Sequence, residues 1–248
     1  MSADLPAILP SLPQLAASAV AAADQIYARA RHEVTGSVSR DGRPSGKLLE
    51  QNQAAAHGLA WLATYVETLR QLALYAERLE AAGQLGEIEA LLVQILFGEY
   101  LNQIIGGIPM NQGEFVRPWD LGLTEEDLKP LGAGAALTLR RQGNSPAARA
   151  RLITLMMEQE GAISFGFTAL DETIEQMRAE MRRFVEAKVA PYAHQWHLEN
   201  AYIPMEVIQE LAELGVFSLT LPEEFGGLGL GKESMCVVSE ELSRGYIG

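Results

Sequence analysis

The sequence predicts an all-α protein, in which a helical bundle is followed by a second group of helices. Aromatic residues make up only 7% of the chain and strand-favouring runs are scarce, whereas Ala and Leu are abundant. Apolar residues recur every three or four positions through several long windows, which is the spacing of one helix face. Hydrophobic residues account for 48% of the 248 positions, which is enough for a sizeable core of helices packed on helices.

The first part of the chain is predicted to hold a loose arm and three long helices. The arm covers residues 1–10, and a helix follows over 12–32. Residues 35–46 are rich in Gly, Ser, Arg and Pro, which predicts a solvated loop. A helix over 47–82 is apolar around so much of its circumference that we expect it to lie inside a bundle. The third helix is predicted over 87–105.

The next part of the chain is predicted to be less regular. The segment Thr124–Asp127 has the spacing of a capping box, which predicts a short helix starting at Glu125. Residues 140–148 combine Arg, Gln, Gly, Asn, Ser and Pro, so we expect a flexible hinge there. A helix over 149–160 then leads towards the final third of the chain.

The final third is predicted to contain three helices, of which the first begins at Thr168 or Asp171 and the others begin near Pro204 and Glu233. The first of these ends near Val189, because Pro191 disfavours helical conformation in the residue before it. Residues 216–221 are expected to be extended and to lead into a glycine-rich loop over 221–231. The last helix is predicted to run to the end of the chain, with Ile247 on its apolar stripe.

Composition excludes several classes of function. A formal net charge of −13 disfavours non-specific binding to nucleic acid or to an anionic membrane. Cys236 is the only cysteine, so no intrachain disulfide can form, and a reducing cytoplasm fits best. The most apolar window, 88–110, is interrupted by Glu, Gln and Asn side chains, which favours a buried core helix over a membrane span. We therefore expect a soluble, cytoplasmic protein that binds neither nucleic acid nor membrane.

The glycine-rich loop allows two interpretations. Clustered glycines before a helix could expose backbone N–H groups to a phosphate. However, the loop lacks the Gly-Lys-Ser/Thr ending of a P-loop and does not follow a βαβ strand. We therefore favour a tight structural connector in which Pro222, Gly226, Gly227 and Gly229 set the backbone path.

No catalytic or metal-binding residue is predicted in this chain. His194 and His197 lack further ligands at a recognisable spacing, and Pro191 predicts an irregular segment around them. Adjacent helical residues point in different directions, so Glu240 and Glu241 are interpreted as helix surface. Cys236 has no histidine partner in the sequence, which argues against a nucleophilic role.

Tyr246 lies between two glycines, Gly245 and Gly248, near the end of the last predicted helix. Each glycine lowers helix propensity by up to about 1 kcal/mol, so their presence suggests a close approach. That approach is either to another helix or to a ligand, and the sequence leaves both open.

Several short motifs follow one another along the final third of the chain in a characteristic order and spacing. They are Arg182-Arg183-Phe184-Val185, Val189-Ala190-Pro191, Tyr202-Ile203-Pro204, Glu213-Leu214-Gly215-Val216, Leu221-Pro222-Glu223-Glu224-Phe225-Gly226-Gly227-Leu228-Gly229-Leu230-Gly231 and Ser239-Glu240-Glu241-Leu242-Ser243-Arg244-Gly245. In this pattern residues 167–248 resemble the N-terminal helical domain of the acyl-CoA dehydrogenases. The long helical segment before it is similar to the N-terminal extension of the branch that acts on methylsuccinyl-CoA.

The resemblance implies four segments. They are an N-terminal arm at 1–10, a helical extension domain at 11–140, a linker with a connecting helix at 141–166, and an incomplete acyl-CoA dehydrogenase N-terminal domain at 167–248. It implies that the flavin-binding β domain and the C-terminal α domain are absent from this chain. Residues Tyr246, Ile247 and Gly248 would then neighbour the acyl cavity, and the flavin-contacting residues stay unknown.

The resemblance also implies an activity for the complete protein. A glutamate downstream of this chain would remove the α-proton of an acyl-CoA while the β-hydrogen leaves as hydride to FAD. Electrons would pass to electron-transferring flavoprotein, and the enzyme would be a homo-oligomer. The implied substrate is (2S)-methylsuccinyl-CoA and the product mesaconyl-CoA. Another acyl-CoA substrate, or a non-catalytic helical assembly module, are the alternatives, and this chain alone is expected to be inactive.

Overall fold

The protein is described by a computed structural model that covers residues 7–162 and 164–247. It divides into two compact units, Met1–Phe167 and Thr168–Gly248. Within the described residues, β-structure is confined to two small antiparallel pairs of strands, and helices make up most of the chain. The predicted all-α class is therefore confirmed.

Three long helices form the body of the first unit: α1 (Leu12–Val38), α3 (Gln53–Ala81) and α4 (Glu87–Gly106). A short helix, α2 (Gly46–Gln51), precedes α3, so the helix predicted as continuous is divided at Asn52. The most extensive contact is between α1 and α3, as their apolar stripes predict. The largest fully buried side chains of this core include Ile26, Leu62, Leu69, Phe97 and Leu101.

The segment predicted as a solvated loop after α1 is partly ordered. Helix α1 continues to Val38, and strands β1 (Ser39–Arg40) and β2 (Arg43–Pro44) form a hairpin. The two turn residues, Asp41 and Gly42, have φ angles of 54° and 73°. Positive φ at both positions matches a two-residue hairpin turn, for which Asp-Gly is a favoured pair.

A second hairpin, β3 (Ile108–Pro109) with β4 (Phe115–Val116), follows α4 and packs beside α3. Gly58 permits this contact, because a Cβ atom at that position would lie 2.4 Å from Cγ2 of Val116. The hairpin therefore packs on the N-terminal part of α3, at a place where the helix has no side chain.

The capping hydrogen bonds predicted at Thr124 form, but the helix does not. The Thr124 backbone N–H donates to the Asp127 carboxylate at 2.8 Å, and the Asp127 N–H donates to the Thr124 hydroxyl at 3.4 Å. The chain then continues through turns into a 3₁₀ segment, Lys129–Gly132. Pro130 lies where the interior of the predicted helix would be, and it cannot donate the next helical hydrogen bond.

The predicted hinge is packed against α4. Helix α5 (Gly134–Thr138) runs into a single π-helical turn, Leu139–Gly143, and α6 (Pro146–Met157) follows. Gly143 is buried, and a Cβ atom there would lie only 2.4 Å from the Gln94 carbonyl oxygen. The prediction of a flexible hinge was wrong, because the small residue is used for close packing on α4.

The second unit consists of α7 (Glu172–Lys188), α8 (Ala190–Leu198), α9 (Met205–Glu213) and α10 (Lys232–Gly245), with α7 packed along α10. The buried residues of its core cluster are Met181, Val185, Val189, Val207, Leu211, Leu219 and Val238.

Three local predictions for the second unit were wrong. Pro191 does not introduce an irregular segment but occupies the first turn of α8, where its missing N–H costs nothing. The stretch predicted as extended contains a 3₁₀ turn, Val216–Ser218. Helix α10 ends at Gly245, so Ile247 lies beyond the helix and is 89% exposed.

Helix α4 is the one described helix that is long and apolar enough to cross a membrane on length and composition alone. It forms part of the buried core of the first unit, where Phe97 and Leu101 are fully enclosed. A core helix meets the same criterion, and this packing explains the apolar sequence of α4.

Candidate functional site

The glycine-rich loop folds back on the turn that precedes it. The Gly229 N–H donates to the Leu221 carbonyl at 2.8 Å, and the Leu230 N–H donates to the Leu219 carbonyl at 2.8 Å. A Cβ atom on Gly227 would lie 2.1 Å from the Leu221 carbonyl oxygen, which leaves no room for any side chain. The loop is thus held by its own backbone.

These contacts favour the interpretation of the loop as a structural connector. Gly226 and Gly229 have φ angles of 79° and 61°, which glycine adopts without steric cost. Pro222 accepts hydrogen bonds from the backbone of Phe225 and Gly227. Every N–H group over 225–230 donates to a carbonyl of the loop or of the preceding turn, so none of these groups is left to hold a phosphate. The loop is a structural connector between α9 and α10.

A buried ion pair joins α7 to α10 in the second unit. The Arg182 guanidinium donates to the Glu241 carboxylate from Nε at 2.9 Å and from Nη2 at 2.5 Å. The Glu241 side chain is only 1% exposed, whereas that of Arg182 is 25% exposed. Two parallel hydrogen bonds of this kind fix both distance and orientation, so the pair sets the register of the two helices.

The interpretation of Glu241 as helix surface was wrong. Ser234, Val237, Glu241 and Gly245 recur at intervals of three or four, which puts all four on the face of α10 that meets α7. That spacing is visible in the sequence, and it was the signal that could have identified Glu241 as buried.

The environment of the pair favours its charged form. Hydrogen bonds from Arg182 lower the pKa of Glu241, and they outweigh the opposing effect of burial. The same contact raises the pKa of Arg182. The Arg244 guanidinium lies 3.8 Å from the Glu241 carboxylate and adds to the stabilisation of the anion.

The structure describes two of the three residues predicted to neighbour an acyl cavity. Tyr246 packs on the core of the second unit, with its ring edge-on to Trp196 at 6.0 Å between centroids. Ile247 is exposed, and Gly248 lies outside the described residues. Their role beside a substrate cavity stays a prediction.

Gly245 shows the close helix approach that its position suggested. A Cβ atom there would lie 2.3 Å from Cγ1 of Val185 on α7. The absence of a side chain therefore allows α10 to lie directly against α7. Helix packing accounts for this glycine without a ligand.

An apolar groove runs along the exposed side of α7. Its volume is about 630 Å³, and its apolar wall includes Met177, Phe184, Leu214, Val216 and Leu219. Glu180, Arg183 and Lys188 lie at the charged part of its lining. The lining contains no histidine or cysteine, so the groove offers a binding surface but no nucleophile with an adjacent base.

No metal site is found in residues 7–162 and 164–247, since no three His, Cys, Asp or Glu side chains there come together. His194 and His197 lie on α8 with exposed side chains. Cys236 is exposed on α10. None of these residues belongs to a catalytic cluster in the described part of the chain.

Comparisons with known proteins agree with the motifs of the second unit. Residues 171–248 match the sequence profile of the acyl-CoA dehydrogenase N-terminal domain. The chain is 52% identical over 241 residues to (2S)-methylsuccinyl-CoA dehydrogenase of Cereibacter sphaeroides, a match that covers 97% of this chain and 43% of that relative. It is 37% identical over 78 residues to glutaryl-CoA dehydrogenase of Desulfococcus multivorans, covering 31% of this chain and 20% of that relative. The chain thus spans less than half the length of the curated relatives it matches.

Proposed function

We propose that the chain belongs to the acyl-CoA dehydrogenase family, whose N-terminal domain profile it matches at residues 171–248, and that it is the N-terminal part of an FAD-dependent enzyme that desaturates an acyl-CoA thioester. The proposed substrate is (2S)-methylsuccinyl-CoA and the proposed product is mesaconyl-CoA. The substrate assignment is supported by the identity of 52% over nearly the whole chain to a methylsuccinyl-CoA dehydrogenase.

The first unit is covered by the match to methylsuccinyl-CoA dehydrogenase but not by the shorter match to glutaryl-CoA dehydrogenase. A match of 241 residues must include almost all of residues 1–167, whereas the glutaryl-CoA dehydrogenase match covers 78 residues. The extension is thus shared with the relative named for methylsuccinyl-CoA. This shared architecture supports the same substrate for the complete protein.

The site for FAD is proposed to lie in the longer protein. A dinucleotide needs donors for its pyrophosphate, and the amides of residues 225–230 in the glycine-rich loop already donate to carbonyls of the loop and of the preceding turn. We assign the flavin site and the catalytic base to the longer protein. The proposed role of this chain is to position helices. Arg182 and Glu241 hold α7 against α10, and this contact fixes the end of α10, where Tyr246 lies. The chain alone is proposed to be inactive.

The partners follow from the same proposal. The reduced enzyme would pass electrons to electron-transferring flavoprotein, and it would act as a cytoplasmic homo-oligomer. A net charge of −13 gives no general attraction to nucleic acid or anionic membrane, which fits this assignment.

The test is the absorbance of the flavin in the longer protein. Anaerobic addition of (2S)-methylsuccinyl-CoA should bleach the oxidised flavin band, and the isolated 248 residues should purify without flavin. A flavin that stays oxidised in the presence of this substrate would contradict the substrate assignment. Flavin bound by the isolated chain would contradict the assignment of the flavin site to the longer protein.

The first unit suggests a second candidate, a helical assembly module. It has its own core and lies outside the matched dehydrogenase domain. Deletion of residues 1–167 from the longer protein distinguishes the two roles. Loss of oligomers with unchanged turnover per flavin would indicate assembly, whereas an altered preference among acyl-CoA substrates would indicate a role in the active site.

A further inference from the structure

Positive charge is concentrated where α1 ends and the β1–β2 hairpin begins. Residues 29–47 contain five Arg or Lys side chains and two Asp or Glu, in a chain whose formal net charge is −13. Such a local reversal of sign creates a positive potential within a negative field. It therefore marks a surface that would attract an anion.

Most of these cations have no anionic partner within the described residues. Arg29 pairs with Glu33 at 2.8 Å, but Arg31, Arg40, Arg43 and Lys47 form no ion pair there. The guanidinium group of Arg31 instead lies 5.9 Å from the ring centroid of Tyr27. Four cations are thus left available in a chain that is rich in carboxylates.

Arg40 and Arg43 are direct cross-strand partners in the hairpin. Like charges placed opposite each other destabilise a strand pair, by up to about 1 kcal/mol relative to a neutral pair. A departure from a local folding rule is expected where function requires it. Bound negative charge near the hairpin would offset this repulsion.

A cavity of about 920 Å³ opens beside the hairpin. Arg31, His32 and Thr35 line it from α1, while Ser39 and Gly42 line it from the hairpin. Residues 31 and 35 are one helical turn apart, so the guanidinium and the hydroxyl group lie on one face. The hydroxyl groups of Thr35 and Ser39 donate to no acceptor within the described residues. Glu33 also contacts the cavity, and its charge is offset by the ion pair with Arg29.

We propose that this cavity binds a small soluble ligand that carries a phosphate group. Arg31 supplies the charge, since a guanidinium group matches the geometry of phosphate oxygens. Thr35 and Ser39 supply hydroxyl donors, and Arg40 with Arg43 raises the local potential from the hairpin. The site lies in the first unit and does not depend on the dehydrogenase assignment.

The test is calorimetric titration of the 248-residue chain with ADP, with adenosine as the probe that lacks phosphate. ADP should bind and adenosine should not. Arg31→Gln should weaken ADP binding by about tenfold, which corresponds to the loss of about 1.4 kcal/mol. The double variant R40Q/R43Q should weaken it by about threefold at low salt and by less at high salt, since exposed charges are screened.

A matched control removes the same charge elsewhere in the first unit. Arg78 and Arg141 are exposed, and R78Q/R141Q should leave ADP affinity unchanged within about twofold. ADP should also raise the melting temperature of the unaltered chain but not that of Arg31→Gln. Equal binding of ADP and adenosine, no binding of ADP, full affinity in Arg31→Gln, or an equal loss in R78Q/R141Q would each overturn the proposal.

Discussion

Arg182 on α7 and Glu241 on α10 are joined by two hydrogen bonds, although 59 residues separate them in the chain. The Glu241 carboxylate is almost completely enclosed, and its lost hydration is compensated chiefly by this guanidinium, with a further contribution from Arg244. The arrangement of the second unit therefore depends on one charged pair as well as on its small apolar core.

Glu241→Gln should destabilise the second unit. The substitution keeps the shape of the side chain but leaves Arg182 without its anion, and breaking a buried pair in this way costs about 3 kcal/mol. Urea unfolding followed by circular dichroism measures the change. The neighbouring Glu240→Gln is the control, because the Glu240 side chain is 59% exposed and an exposed pair contributes less than about 1 kcal/mol. Equal effects of the two variants would contradict the role of burial.

The pH dependence of stability should depend on the same carboxylate. The pKa of Glu241 is lowered from 4.5 in the folded chain, so the unfolded chain takes up this proton at a higher pH than the folded chain does. Its contribution is therefore complete above pH 4.5 and is lost as the pH falls from there through the lowered pKa. Acid unfolding of Glu241→Gln should show a weaker decline over that range than the unaltered chain. Parallel curves would contradict the assignment.

Gly245→Ala should separate α10 from α7. The new methyl group would lie 2.3 Å from Cγ1 of Val185, and overpacking of this kind costs about 1–3 kcal/mol. Val185→Ala in the same chain should recover part of the loss, which a double-mutant cycle measures. Gly36→Ala is the control for helix propensity, because it lies within α1 with open space around it and should stabilise by up to about 1 kcal/mol. Additive effects at Gly245 and Val185 would contradict the close approach.

Substitution of either of two adjacent glycines in the connector by alanine should lower the free energy of unfolding, but for different reasons. Gly226 has open space but a φ angle of 79°, so Gly226→Ala should cost about 1–2 kcal/mol. Gly227→Ala would place a carbon atom against the rigid Leu221 carbonyl and should cost more, since the backbone must move. Thermal unfolding of the two variants measures the order. A larger loss for Gly226→Ala would contradict the packing of the loop.

The long helices were predictable because each carries an apolar stripe that is visible over many residues. The division at Asn52 and the π-helical turn at Leu139–Gly143 were not, because neither has a local signal of comparable strength. Gly143 was interpreted as a source of flexibility, yet its position is fixed by the Gln94 carbonyl far away in the sequence. Such contacts become visible only when the helices are brought together.

The sequence favours a structural role for the glycine-rich loop, because its glycines lack the Lys and Ser/Thr neighbours that a P-loop requires. The burial of Glu241 was missed, because a charged residue in an amphipathic helix is usually exposed. Charge was thus given more weight than helical position, and here position was the better guide.

The most direct test of the central claim is the steady-state oxidation of acyl-CoA thioesters by the longer protein that contains this chain. Mesaconyl-CoA formation from (2S)-methylsuccinyl-CoA would be followed with an artificial electron acceptor, beside glutaryl-CoA at the same concentration. We predict that kcat/KM for (2S)-methylsuccinyl-CoA exceeds that for glutaryl-CoA by at least about 100-fold, a difference of about 3 kcal/mol in transition-state stabilisation. A higher kcat/KM for glutaryl-CoA, or no oxidation of either thioester, would contradict the account.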